Sequence, residues 1–595
     1  MNQQVLAMGW QLLQAGNTAA ADELVRPLIA LRISDELLPL VGAIRLNQGR
    51  FAEAAALFEK GRSLHPRQGR FAFFHGTALA QLGQLEQAAQ AFAVAIKLEP
   101  QAADAYLALG AAQLQLGRSD EAQSTYRKLL RTQPDNIDGY LALSAALAEA
   151  GHVADAEAPL RKALSLAHDP RLQAAIHNNL SVVMSSHNRH DAALENLDRV
   201  QALAPDMPNL DNRRIDILHQ LGRFEDCVAL YKRLLDRRPG DAEMHRAYNS
   251  LLYRLGRTDE YLASYDTAPQ TRDILLGKAA LLSLQKRGRE AGEVYQGLVA
   301  RDPADAAAAA GWANSLLLQD RAGEAVAAFE AALDAGAPAF SGAASAALMA
   351  GDPQKAEHFA RTGLARDGYD QSCLALLGTA LRLQGSEEDE RLNGYDRLIR
   401  VFDLPAPDGF SSMDDFNAEL GRELEQLHPK TGAYLEQSLQ GGSQTEGYLF
   451  GSGHALVDKL RARIDEALAA CIAELSEDGT HPFLSRRSNG FRYAGAWSSL
   501  MRQQGFHVNH LHPQGWISSC YYVTVPEVTK DESAKQGWIK FGEPDMDLPL
   551  NNPIRRAVQP VPGRLVLFPS YMWHGTIPFR EDALRTTIAF DAVPL

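Results

Sequence analysis

The segment QLGQLEQAAQAFAVAIKLEP, residues 81–100, contains the signals that decide the fold of most of the chain. A Leu-Gly pair lies near its start, a helix-forming run with closely spaced alanines follows, and a proline ends it. Glycine permits the left-handed turn that closes one helix, and proline cannot continue the next one. The segment therefore predicts a turn and then a helix that packs closely through its small residues.

Similar segments flank this one at a constant spacing. They are RLNQGRFAEAAALFEKGRSLHP at residues 45–66 and QLGRSDEAQSTYRKLLRTQP at residues 115–134. Turn glycines lie 34 residues apart at Gly49, Gly83, Gly117 and Gly151, and prolines do so at Pro66, Pro100 and Pro134. A looser series of predicted turns continues through Asn188, Gly222, Gly256, Gly288, Gly351 and Gly385. This period indicates an array of helix pairs that pack against their neighbours.

The period, with its Leu-Gly, Ala and Pro positions, resembles the tetratricopeptide repeat. The resemblance covers about eleven or twelve units and is weaker between Thr258 and Gly351, where the helices are rich in alanine. It implies an all-α superhelix, which we expect over residues 1–395, with a concave surface that binds a protein or peptide. The alternative is a scaffold that only spaces domains or dimerises, so a homodimer is left open.

Composition and charge limit the class of protein. The 595 residues are 46% hydrophobic and 22% charged, which is typical of a folded chain with more than one domain. The net charge of −14 argues against a general nucleic-acid binder. The four cysteines form no CxxC pair, so neither a disulfide framework nor a structural zinc site is indicated. Without a signal peptide or an apolar run of ~20 residues, we expect a cytoplasmic protein with no membrane span.

A change of pattern near residue 400 predicts a second domain. Pro405, Pro407 and Gly409 interrupt the helical period, and we place a linker at residues 396–412. Two amphipathic helices are expected at residues 412–427 and 455–476. Short runs rich in β-branched and aromatic residues follow: FRYAGAWSSLM, GWISSCYYVTVP, GWIKFGEP, GRLVLFPS and LRTTIAFDAV. They predict a β-sandwich or barrel, buttressed by helices, over residues 413–595.

Histidines are concentrated just before one of these runs, in GFHVNHLHPQGW at residues 505–516. His510 and His512 are two residues apart, so extended backbone places both side chains on one face. His574 follows a buried strand and a Pro-Ser turn in GRLVLFPSYMWHGTIPF, and Arg585 and Thr587 lie on one face of the last predicted strand. Imidazoles in such a group are candidate metal ligands.

This order of residues resembles the Fe(II)/2-oxoglutarate-dependent oxygenases, in particular bacterial members related to prolyl hydroxylases. The resemblance covers residues 405–595 and implies a double-stranded β-helix, or jelly-roll, that uses Fe(II) and 2-oxoglutarate. It implies His510, His512 and His574 as metal ligands. It also implies that Arg585, with Thr587 and Tyr522, binds the far carboxylate of 2-oxoglutarate. A guanidinium suits that carboxylate because it offers two parallel N–H donors.

His512 stands where the family usually has Asp or Glu. Fe(II) sites of this kind ordinarily combine two histidines with one carboxylate. We expect a three-histidine site instead. The alternatives are a water in that position with His512 turned away, and a site that has lost its metal. A further alternative is a different register, in which His507 and Asn509 form the pair.

The expected function is a dioxygenase that hydroxylates a protein or peptide docked on the repeats. One alternative is a non-catalytic adaptor whose barrel has degenerated. A third class, a three-histidine dioxygenase that uses no keto acid, is disfavoured by Arg585, unless this residue forms an ion pair with Glu581 or Asp582. Some relatives lose the carboxylate ligand to bind halide, so an oxidative outcome other than hydroxylation is left open.

Overall fold

The computed structural model describes residues 2–29, 33–187, 189–257, 259–428, 439–445, 447–550 and 552–595. These residues form 27 α-helices and nine β-strands. They divide into two compact units, Met1–Leu230 and Tyr231–Leu595, and the boundary falls within helix α14 (Phe224–Arg237).

Short turns join the helices of the first unit, and consecutive helices pack against each other as the repeat pattern predicts. The helices before α14 are α1 (Asn2–Gln14), α2 (Thr18–Ile29), α3 (Leu38–Asn47), α4 (Phe51–Leu64), α5 (Gly69–Gln81), α6 (Leu85–Leu98), α7 (Ala103–Gln115), α8 (Ser119–Thr132), α9 (Ile137–Glu149), α10 (Glu157–Leu166), α11 (Pro170–Ser186), α12 (His190–Leu203) and α13 (Leu210–Gln220). A 3-10 helix, Val153–Ala156, precedes α10.

Positive backbone φ angles mark the predicted turns. Gly49, Gly83, Gly117 and Gly151 have φ between 72° and 79°, and Gly222, Gly256, Gly351 and Gly385 also have positive φ. Glycine suits these turns because a side chain would strain this conformation. The prediction for Gly288 is wrong: Lys286 has the positive φ of 58°, and Gly288 begins the next helix. Asn188 lies outside the described residues.

Helices of the same kind continue into the second unit. They are α15 (Ala242–Arg254), α16 (Ala263–Thr267), α17 (Arg272–Leu284), α18 (Gly288–Arg301), α19 (Ala306–Leu317), α20 (Ala322–Asp334), α21 (Phe340–Met349), α22 (Pro353–Leu364), α23 (Gln371–Leu383), α24 (Glu388–Asn393) and α25 (Tyr395–Leu398). The two helices predicted further on are confirmed as α26 (Met413–Leu427) and α27 (Ala455–Glu474). Ser412 caps α26, because its hydroxyl accepts a hydrogen bond from the backbone N–H of Asp415.

The nine strands form two antiparallel sheets. They are β1 (Arg400–Asp403), β2 (Leu439–Gln444), β3 (Phe491–His507), β4 (Ile517–Thr524), β5 (Ile539–Phe541), β6 (Arg556–Val558), β7 (Arg564–Pro569), β8 (His574–Thr576) and β9 (Arg585–Pro594). One sheet has the order β1-β7-β4-β9-β3-β2 and the other β6-β5-β8. The five runs predicted as strands coincide with β4, β5, β7, most of β9 and the first part of β3, which continues to His507. Strand β1 lies within the predicted linker 396–412, where it pairs with β7.

One large hydrophobic cluster of the second unit runs from α19 through the later helices into both sheets. Polar contacts join the same parts. A guanidinium nitrogen of Arg382 donates to the carbonyl of Gly542 at 2.5 Å, and the Tyr571 hydroxyl donates to the carbonyl of Leu392 at 2.7 Å. The helices from α19 to α25 and the sheets that follow them therefore share one packed interior.

The chain thus combines helical repeats with a C-terminal region of antiparallel sheets, which is the coarse fold class that the sequence predicts. None of the described helices combines the length and the apolar character that a membrane span requires.

Candidate metal centre

Backbone hydrogen bonds bring the three predicted histidines together. His510 and His574 form an isolated β-bridge in which each N–H donates to the carbonyl of the other, at 2.8 and 3.0 Å. The N–H of His512 donates to the carbonyl of Ser570 at 3.0 Å. The loop between β3 and β4 is thereby fixed against the turn between β7 and β8. The His510–His512 pair lies in this loop, because β4 begins only at Ile517.

Each of the three imidazoles uses its Nδ1 in a hydrogen bond. Nδ1 of His510 contacts the carbonyl of Val508 at 2.8 Å, and Nδ1 of His574 contacts the carbonyl of Met572 at 3.0 Å. Since carbonyl oxygens only accept, Nδ1 carries the proton in both rings, and Nε2 keeps the lone pair.

The nitrogens that the three histidines offer as ligands lie within 4.8 Å of one another. Burial lowers the pKa of His510 to about 4, with His512 adding to the effect, and burial also lowers the pKa of His574 well below its ordinary value. Both rings are therefore neutral near pH 7, which is the form that binds metal. The three side chains therefore form a group that could hold one metal ion, and His512 is part of this group.

Asp591 supplies a carboxylate that sequence reasoning missed. Its Oδ2 accepts a hydrogen bond from Nδ1 of His512 at 2.7 Å, and its Oδ1 accepts one from the Ser518 hydroxyl at 2.7 Å. The hydroxyls of Ser518 and Ser570 are 2.8 Å apart, which extends the network to the turn before β8. Gly515 allows this close packing, because a Cβ there would lie 2.2 Å from the Ser570 hydroxyl. His512 stands where the family usually has a carboxylate. A carboxylate, that of Asp591, is thus hydrogen-bonded to this candidate ligand.

We expect Asp591→Asn to weaken iron binding by roughly 10- to 100-fold while the fold is retained. The amide keeps the size of the carboxyl group, and its oxygen can still accept a hydrogen bond from His512. The substitution removes the negative charge that increases the basicity of the imidazole toward the metal. Anaerobic Fe(II) titration measures the effect, with Asp582→Asn, at an exposed position shortly before β9, as the matched control. Equal iron affinity in Asp591→Asn and the parent protein would show that this carboxylate does not support a ligand.

A cavity of about 360 Å³ extends from the three histidines along the face of β9. Its wall includes Arg585, Thr587, Ala589 and Asp591, which alternate along the strand and therefore share one face. Its remaining lining residues are Gln444, Trp497, Ser499, His507, His510, Leu511, His512, Pro513, Gln514, Ser519, Cys520, Ile539, His574, Gly575 and Thr576. The metal-ligand candidates and Arg585 thus line the same cavity.

Arg585 is a buried cation with no carboxylate partner among the described residues. It is 1% exposed, one guanidinium nitrogen lies 3.7 Å from the sulfur of Met501, and its Nε has no hydrogen-bond partner in the described chain. The guanidinium lies 5.3 Å from the centre of the Tyr522 ring, whose buried hydroxyl also lacks a described partner. A buried charge is costly unless it is paired, so this site fits a ligand that brings its own carboxylate.

The contacts of Glu581 and of Asn509 do not favour an ion pair for Arg585 or a metal-binding pair of His507 and Asn509. The carboxylate of Glu581 accepts a hydrogen bond from the backbone N–H of Val528, and neither it nor Asp582 forms an ion pair with Arg585. The amide of Asn509 donates to Glu543 and to the carbonyl of Pro544. In the described chain, the group that could hold a metal consists of His510, His512 and His574, although His507 also lines the cavity.

Comparison with family models agrees with both resemblances. A model described as "Putative 2OG-Fe(II) oxygenase" matches residues 495–591, which contain all three histidines and Arg585. Tetratricopeptide repeat models match residues 42–105, 75–137, 107–171 and 186–251. The chain therefore carries tetratricopeptide repeats and, near its C-terminus, a domain of this oxygenase type.

Several solved structures resemble the repeats. MamA from Desulfovibrio magneticus RS-1 is 21% identical, with 29% of this chain and 97% of that chain covered and a TM-score of 0.27. A thermophilic TPR protein of Thermus thermophilus is 26% identical, with 31% and 99% covered and a TM-score of 0.24. The Naa15/Naa10 complex bound to HypK-THB is 15% identical, with 66% and 67% covered and a TM-score of 0.31. No curated protein matches the chain.

Proposed function

We propose that this protein is an Fe(II)- and 2-oxoglutarate-dependent dioxygenase that hydroxylates a protein or peptide. The observation that carries the proposal is the pairing of two features in one cavity. Three imidazoles whose Nδ1 atoms are engaged offer nitrogens to one ion, and a buried guanidinium with no carboxylate partner among the described residues lines the same space. A non-catalytic adaptor with a degenerate barrel has no need for either feature.

His510, His512 and His574 would hold the iron, and Asp591 would orient His512 and increase its basicity. Bound Fe(II) supplies oxygen activation, coupled to the decarboxylation of 2-oxoglutarate to succinate and CO2. Arg585 binds the far carboxylate of 2-oxoglutarate by two parallel hydrogen bonds, and Thr587 adds a hydroxyl donor from the same face of β9.

Tyr522 has a supporting role in this proposal. Its ring packs against the guanidinium of Arg585, and it is not among the residues that line the cavity. Burial raises the pKa of its hydroxyl well above the ordinary value, so the group stays a neutral donor. We infer that it donates to the same carboxylate once that carboxylate lies beside Arg585.

We further propose that the two sheets are the halves of a double-stranded β-helix. Contact between Phe541 on β5 and Phe568 on β7, with ring centres 5.0 Å apart, supports this arrangement, as does the bridge between His510 and His574. Residues 1–395 would be the repeat region and residues 413–595 the catalytic region. The connecting residues 396–412 also add strand β1 to the larger sheet.

Turnover without a protein substrate tests the proposed activity. With Fe(II), 2-oxoglutarate and O2, the purified full-length protein should release succinate slowly, because these enzymes consume some 2-oxoglutarate without substrate. The His574→Ala variant should release none above the background of free iron. Succinate formation that is equal in both proteins, or absent from both, would contradict the proposal.

A further inference from the structure

A second, larger cavity of about 1020 Å³ lies within the second unit, between the later repeat helices and the sheets. Pockets for small ligands usually measure roughly 300–1,000 Å³, so this space exceeds what a metabolite of the size of 2-oxoglutarate requires. Its repeat side is formed by α17, α19, α20, α21 and α23, and its sheet side by the histidine loop, Asp545 and Trp573.

The second cavity adjoins the metal cavity. His510, Leu511 and Pro513 line both of them, so the histidine loop is the wall between the two spaces. A molecule in the second cavity would lie next to a proposed ligand of the metal. A bound peptide that extends past Leu511 would enter the metal cavity beside His512 and His574.

The walls of the second cavity combine apolar surface with polar groups. Phe329, Leu376, three alanines of α19 and the alanines of the turn before α21 form the apolar part. Polar side chains that make no side-chain hydrogen bond to another described residue face the same space: Asn314, Ser341, Ser345 and Ser372. The buried indole N–H of Trp573 also lacks a partner in the described chain. Such a mixture suits a peptide, whose backbone offers both donors and acceptors at regular intervals.

The charges in the second cavity favour a cationic occupant. Arg272 and Asp305 neutralise each other through two hydrogen bonds, of 2.6 and 2.9 Å. Asp302 and Asp545 form no ion pair with any described Lys or Arg, which leaves two negative charges on the wall. Desolvation raises the pKa of Asp545, although Lys286 opposes the shift, so a positive group beside this carboxylate would be favourable.

We propose that the second cavity binds an extended peptide segment that carries Lys or Arg, and that it presents a nearby side chain of that segment to the metal site. The basic side chain pairs with Asp302 or Asp545, and the peptide backbone contacts the serines and Asn314. The proposal that a peptide binds here depends only on the second cavity, whereas the oxidation of the presented side chain rests on the proposed function.

Selection from a random peptide library on the metal-free, full-length protein tests the docking. We expect the enriched peptides to contain Lys or Arg. Synthetic copies of them should bind the Asp302→Asn and Asp545→Asn variants roughly 3- to 10-fold more weakly, because each variant removes one attractive charge. Added salt should weaken binding to the parent protein more than to the double variant.

Ala310→Trp supplies a second test, since it fills the cavity from α19. It should abolish binding of the selected peptides, whereas Ala327→Trp on the exposed side of α20 should not. The Asp302→Asn and Asp545→Asn variants change exposed groups and should keep the fold. They therefore test the docking proposal even if Ala310→Trp is unstable.

Three outcomes would overturn the docking proposal: no enriched peptide, enrichment without basic residues, or binding that none of the cavity variants changes. The His574→Ala variant separates this proposal from the proposed function. If it binds the selected peptides normally but releases no succinate, both proposals hold. If the parent protein binds peptides but releases no succinate, only the enzymatic proposal fails.

Discussion

The His574→Ala variant should lose iron binding almost completely, with an affinity more than ~100-fold below that of the parent protein. Loss of a group that only supports a ligand typically costs about 10- to 100-fold, and loss of the ligand itself should exceed that. His574 is 6% exposed and hydrogen-bonded through Nδ1 to the chain, so its nitrogen is held in place before metal arrives. Anaerobic Fe(II) titration with metal analysis measures the stoichiometry and the affinity.

The matched control is His358→Ala, which removes an exposed imidazole from α22 in the same unit. It should bind iron as the parent does, and circular dichroism should show that both variants are folded. His510→Ala should behave like His574→Ala. Full iron stoichiometry in both His510→Ala and His574→Ala would show that these histidines do not bind the metal.

His512 occupies the position of the usual carboxylate, and two substitutions separate its roles. His512→Ala should lose most of the iron affinity if the third imidazole is a ligand. His512→Asp restores the family's usual residue and should retain some iron binding, although Asp591 would then face a second carboxylate. If His512→Ala binds iron normally, the metal has two histidine ligands and water completes the site.

The second large effect is expected from Arg585→Lys, which should weaken 2-oxoglutarate binding by roughly 10- to 100-fold while iron binding persists. Lysine keeps the positive charge but loses the two parallel N–H donors, and a charged hydrogen bond is worth about 1.5–3 kcal/mol. Competition of 2-oxoglutarate against a chromophoric chelator on the iron-loaded protein measures the affinity.

Arg492→Lys is the matched control, because Arg492 is an exposed residue of β3 in the same sheet. It should leave the affinity for 2-oxoglutarate unchanged. Succinate, which has the same far carboxylate but no keto group, should also bind the Arg585→Lys variant more weakly. If 2-oxoglutarate binds the parent and Arg585→Lys equally well, Arg585 is a structural residue and the carboxylate binds elsewhere.

Local sequence patterns predicted the parts of the fold with strong periodicity. The turn glycines of the first repeats and the strands rich in β-branched and aromatic residues all occur where they were expected. Three of the four remaining strands lack such a signal: β2 contains two glycines, and β6 and β8 have only three residues each. These strands exist because partner strands supply their hydrogen bonds, and pairing of this kind is not encoded in a short segment.

The shared interior of the second unit was also not predicted. Helix α23 is buried on nearly all sides, including Leu374, Leu376, Leu377 and Leu381. A helix that is apolar all round packs against more than one neighbour. In the sequence this segment belongs to the predicted repeat region, which ends at residue 395, yet its helix packs in the same core as the sheets.

The candidate site was predictable where its residues follow a motif. The spacing of the three histidines and of Arg585, through the family resemblance, made them candidates, but Asp591 reaches His512 across 79 residues, and only the folded chain shows this contact. One signal was present in the sequence: Asp591 lies on the same face of β9 as Arg585 and Thr587. A carboxylate on the pocket face of a buried strand is a candidate for function.

We propose that one cavity binds Fe(II) through three histidines and 2-oxoglutarate through Arg585. Anaerobic absorption spectroscopy of the full-length protein tests both parts at once. Addition of Fe(II) and then 2-oxoglutarate should produce a visible charge-transfer band that saturates at one equivalent of each, and that is absent in His574→Ala. A protein that retains its fold and binds iron tightly, yet gives no such band at any concentration of 2-oxoglutarate, would contradict the account.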